Sequence, residues 1–163
     1  MALNTNRQFG PGYVPAYQAS GVPFVTSSNG NELDASTVSV IDFPSVTRWF
    51  EITNTGAGAL IFGFSRNGLD GKGSSVSGSA FESSTSIGKK NYYTLSGTFN
   101  GGGNNVNSAP RTVRMELRCK KLFLKRSPDA IVNAGFSVIA GLTGIPNNQF
   151  PTLTGSAGYI GIG

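Results

Sequence analysis

The segment RTVRMELRC, residues 111–119, alternates without a break: Val113, Met115, Leu117 and Cys119 fall on one side, Thr112, Arg114, Glu116 and Arg118 on the other. A period of two is the spacing of a β-strand with one face in a core and one in water, and it cannot serve a helix of 3.6 residues per turn. Shorter runs of the same kind recur: VPFVT at 22–26, STVSVIDF at 36–43, TRWFEITN at 47–54, ALIFGFS at 59–65, NYYTLSG at 91–97, KKLFLKR at 120–126 and GFSVIAGL at 135–142. Pro23 makes the first of these an edge strand, because it cannot donate to a central ladder. No stretch carries a convincing helical period. The 23 glycines and the 13% of charged residues fit many short strands joined by polar turns.

Two links carry topological expectations. TGAG, at 55–58, lies between the alternating runs 47–54 and 59–65, and its glycines suit a tight reversal, so the pair reads as an antiparallel hairpin. Residues 66–90 form a long polar connection, in which only SVSGSAFES suggests a further weak strand, and are read as crossing between sheets. About eight mostly antiparallel strands make an all-β sandwich, a single jelly roll built from two Greek keys, with an immunoglobulin-like sandwich as the rival. With 163 residues the chain reads as one domain, long enough to bury a core. Its layout is an N-terminal arm at 1–21, the jelly roll at 22–145, and a tail at 146–163 that packs on the sandwich or on a neighbour. Phe9, Tyr13 and Tyr17 in the arm, and Phe150 and Tyr159 in the tail, are the candidate intersubunit contacts.

The chemical inventory is thin. Histidine is absent, which removes His-based acid–base work, Ser-His-Asp and Cys-His nucleophiles, and nearly every zinc site. The carboxylates are scattered, and none forms a recognisable catalytic pair. NGLDGKGSS at 67–75 fails as a phosphate loop because Gly73, not Ser or Thr, follows Lys72, and NGNELD at 29–34 lacks calcium-loop spacing. Cys119, in register with apolar neighbours, reads as a core residue and leaves no partner for a disulfide. No enzyme, metal or cofactor is expected. The N-terminal residues lack the apolar stretch of a secretory signal, and no run approaches the ~20 apolar residues of a membrane span, so synthesis without secretion or membrane insertion is expected.

Charge is the most uneven feature. Seven of the thirteen basic residues, Arg111, Arg114, Arg118, Lys120, Lys121, Lys125 and Arg126, lie within sixteen positions containing one acid, Glu116. They read either as a solvated strand face that discourages edge pairing or as an electrostatic contact for an acidic protein neighbour. Direct nucleic-acid binding ranks last, since only Phe123 offers a stacking platform beside them.

FEITNTGAGALIFGFSRNG, NYYTLSG, RMELRCKKLFLKR and GFSVIAGLTGIPNNQFPTLTGS, spread over about residues 47–156, together resemble the single jelly-roll penton, or vertex, proteins of large icosahedral double-stranded DNA viruses of the algal-virus, nucleocytoplasmic type. The resemblance implies a homopentamer closing the fivefold vertices of a capsid, with neighbouring major and minor capsid proteins as partners and the virion as its location. The alternative is a carbohydrate-binding or host-attachment module on the same fold, with Trp49 and the Tyr92–Tyr93 pair as candidate sugar platforms.

Overall fold

The computed structural model describes residues 21–29, 32–70, 91–98 and 111–153. Among these residues eight strands fall within the alternating runs or overlap them: β1 (Val22–Ser27), β2 (Ser39–Asp42), β3 (Ser45–Asn54), β4 (Leu60–Gly63), β5 (Tyr93–Leu95), β6 (Thr112–Met115), β7 (Lys121–Arg126) and β8 (Phe136–Pro146); β6 stops at Met115, so the run 111–119 is a strand only in its first half. The strands form two antiparallel four-stranded sheets, ordered β1-β8-β3-β6 and β2-β7-β4-β5. Every link except β4–β5 passes from one sheet to the other, which is the winding of a single jelly roll. β1, with Pro23, is an edge strand as expected. The weak strand suggested within 66–90 lies outside the described residues.

Both topological expectations are overturned. The pair 47–54 and 59–65 is not a hairpin: β3 pairs with β8 and β6, β4 with β7 and β5, and the TGAG link is a corner between sheets. The long 66–90 connection, in turn, joins β4 and β5, neighbours in one sheet, rather than crossing. The corner is held by Asn54, whose buried side-chain amide donates to the carbonyls of Gly58 (2.8 Å) and Ser96 (3.0 Å) while its oxygen accepts the Gly56 N–H at 2.9 Å. One asparagine thus satisfies backbone groups of the corner itself and of the segment that follows β5. Gly58 contributes space here: a Cβ would overlap the Val132 carbonyl.

Inward side chains of both sheets interdigitate in one core. Phe50 and Ile52 of β3 and Val138 and Ala140 of β8 face Leu60 and Phe62 of β4 and Leu122 and Leu124 of β7. The Phe50 ring meets Phe62 and Phe64 edge to face at 6.2 and 6.3 Å, so aromatic contacts bridge the layers. Val113, Met115 and Leu117 do turn inward, but β6 is an edge strand and they are only half-buried; Cys119 alone of that row is fully enclosed.

Ile61 and Gly63 point away from this core yet are buried, because a short helix, α1 (Arg66–Asp70), lies on the outer face of the second sheet. Its Leu69 sits over Gly63, where a Cβ would come within 3.5 Å of the leucine methyl. No described helix is long and apolar enough to cross a membrane.

Candidate functional site

The fold disperses the seven clustered basic residues. Arg114 projects from the outer face of the first sheet, where its guanidinium covers the Trp49 ring at 4.3 Å and pairs with Glu116 at 3.0 Å. Arg111 donates to the Asn54 carbonyl at 3.0 Å, bracing the corner between sheets, and Arg118 is exposed beyond the end of β6. Lys121, on the other sheet, pairs with Asp42 at 2.7 Å. Arg126 donates through Nη1 to the Ala130 carbonyl, and its buried Nε has no partner among the described residues.

Lys125 departs furthest from the expected solvated patch. Its side chain is only 7% exposed and its ammonium lies 2.7 Å from Asp70 at the end of α1. The covering helix explains the correction, because alternation places Lys125 on an outer face but does not reveal that the face is roofed.

Lys120 and Lys121 help to form a cleft of about 260 Å³ where the start of α1, the start of β7 and the segment 150–153 meet. Phe64, Phe123 and Leu153 supply apolar wall, and Arg66 joins the two lysines as a third cation. Lys120 Nζ donates to the Phe150 carbonyl (2.9 Å) and to Thr152 Oγ1 (3.1 Å), which fixes one lip of the cleft to the sandwich. Residues from three separated parts of the sequence meet here. Only the lysines and Phe123 stood out in the linear pattern; α1, with Arg66, had no helical signal to find.

The remaining candidates have defined places. Phe150, half-buried, packs against Val46 and Ile145 of its own chain. Phe9, Tyr13, Tyr17 and Tyr159 lie outside the described residues. Trp49 rests over Gly141, where a Cβ would collide with the indole, and Arg114 covers the ring. Tyr93 leans on Phe62 at 5.6 Å, and the phenol of half-buried Tyr92 is pushed up, first by burial and then by the charge of Asp129. Asp34, from the rejected calcium-like segment, spends one oxygen on the backbone N–H groups of Ser36 and Thr37. No group of three metal-ligating side chains occurs among the described residues.

Cys119 is buried, its thiol pushed up to about 11 by desolvation, against which the Thr47 hydroxyl acts. The native thiol is therefore expected to resist a disulfide reagent at pH 8 and to react once denaturant opens the core; fast stoichiometric reaction of the native protein contradicts this burial. Because the folded thiol holds its proton more tightly than the ordinary value of 9.0, its contribution to stability is complete below pH 9 and is lost as pH rises toward about 11.

No protein-family model matches the chain, and comparison with curated proteins and with solved structures likewise finds no match.

Proposed function

We propose that this protein is a structural subunit that assembles with copies of itself into a closed ring, the homopentamer at the fivefold vertices of an icosahedral virus capsid, held there by neighbouring capsid proteins. The observation that carries the reading is the unlike character of the two outer faces of one jelly roll. The outer face of the first sheet presents apolar side chains at its open edge, with Val25 of β1 67% exposed beside its partner Ile139 of β8, 41% exposed. The second presents α1 and a cleft ringed by cations. A ring needs a head-to-tail interface, in which one face of each subunit meets a different face of the next, and an exposed valine on an edge strand suits such burial. The segments that resemble vertex proteins fall on β3, β4, β5, β6, β7 and β8, so the likeness runs through the strands of the sandwich.

A carbohydrate-binding role lacks an open platform at Trp49, whose ring Arg114 already covers. Native mass spectrometry of the full chain decides the matter. A discrete species of five 17.0 kDa chains is expected, and Val25→Glu is expected to shift it toward monomer without unfolding the subunit. A wild-type chain that stays monomeric across the micromolar range overturns the proposal.

A further inference from the structure

The cleft beside Lys120 marks the second outer face of the subunit, and its composition points to a ligand of its own. We propose that it is a docking pocket for an acidic–aromatic segment of another protein, with one large apolar side chain inserted between Phe64, Phe123 and Leu153 and flanking carboxylates meeting Arg66, Lys120 and Lys121.

Size comes first. A volume of about 260 Å³ is below the range of roughly 300–1,000 Å³ usual for drug-sized ligands, and it suits a single side chain with its backbone. Charge comes second. Lys120 spends two of its three N–H donors on described partners, Phe150 and Thr152, and the third is unassigned among the described residues. Lys121 shares its charge with Asp42 in a pair half open to water, where a competing carboxylate can enter. Arg66 is exposed and forms no ion pair among the described residues. Three cations around an apolar floor complement an anion attached to a hydrophobic body.

The same geometry disfavours a nucleic-acid strand. Single-stranded binding wants a basic groove that tracks several phosphates past successive aromatic platforms. Here Arg111 and Arg114 lie on the other sheet and Lys125 is buried, so the three cations of the cleft are not continued into a basic groove past its two rings, Phe64 and Phe123.

The test is fluorescence anisotropy of the full chain with a fluorescein-labelled peptide carrying Asp-Phe-Asp between glycines. Controls carry Asn-Phe-Asn and Asp-Ala-Asp, and an eight-residue oligothymidylate is run in parallel. The Asp-Phe-Asp probe is expected to bind weakly, with Kd on the order of 100 μM, as befits so small a pocket. The alanine control is expected to lose about tenfold or more, since the buried aromatic is the anchor. The asparagine control and the Arg66→Gln variant are each expected to lose several-fold, with the melting transition of Arg66→Gln unchanged because the residue is exposed. Raising salt from low to high ionic strength should weaken the acidic probe and leave the asparagine probe unmoved. Equal binding of the Asp and Asn peptides overturns the proposal, as does tighter binding of the oligonucleotide. Absence of binding at millimolar peptide also overturns it, whether the cleft is taken by the chain's own continuation or by a second copy.

Discussion

Replacing Phe50 by alanine is expected to cost about 3–5 kcal/mol of folding stability, the upper range for removing one large side chain from a core. The residue sits in the middle of β3 with Ala140 of β8 on one side and Met115 of β6 on the other, and it is fully buried. Its ring also reaches across the sandwich, meeting Phe62 and Phe64 edge to face. Truncation therefore removes both transfer energy and the aromatic contacts that lock the two layers, and β3, held on both edges by β8 and β6, cannot shift to close the gap. Phe50→Leu preserves most of the volume and is expected to cost no more than about 1.5 kcal/mol. Leu117→Ala, at a half-buried place beyond the edge strand β6, should cost less than Phe50→Ala. Denaturant titration at one fixed protein concentration checks all three, since assembly would otherwise shift the apparent stability. Equal losses at Phe50 and Leu117 would show that the core is not centred where the two sheets meet.

That contrast marks how far alternation alone reaches. The residues that face inward along β3, β4 and β6 were legible from the period of two, and so were the number of strands and the class of fold. Partnership was not. Ile52 and Leu60 both face the core whether β3 and β4 are hydrogen-bonded neighbours or lie in opposite layers, so a hairpin and a corner share one local pattern. The deciding residue is Asn54, whose amide satisfies carbonyls around the corner, two of them more than forty residues away. A polar residue at a strand end reads equally well as a turn signal. The same limit hid the site: Lys125 and Lys121 occupy equivalent outward positions on β7, and nothing in KKLFLKR distinguishes the one that α1 covers from the one beside the cleft. The basic run was visible as charge, whereas its division between two sheets is a product of chain winding.

The ion pair beneath α1 gives the second large effect. Asp70→Ala is expected to destabilise the protein by about 3 kcal/mol, because it leaves the Lys125 ammonium buried without its counter-charge. Asp70 is itself 21% exposed against 7% for Lys125, so the two single changes should differ. Lys125→Met leaves a carboxylate that can turn toward water and should cost less than Asp70→Ala. The double change Lys125→Met with Asp70→Leu should recover most of the loss, since apolar side chains of similar size suit the ground between Ile61 and Leu69. Arg66 stands at the other end of the same five-residue helix and lines the cleft, so loosening α1 should also weaken the acidic–aromatic peptide. The double variant, with α1 held by apolar contact, should bind it again. Thermal melts of the four proteins, read beside peptide anisotropy, separate a buried clamp from a surface bridge. If Asp70→Ala melts with the wild type, Lys125 reaches water and the roof over β7 is looser than the packing of Leu69 on Gly63 requires.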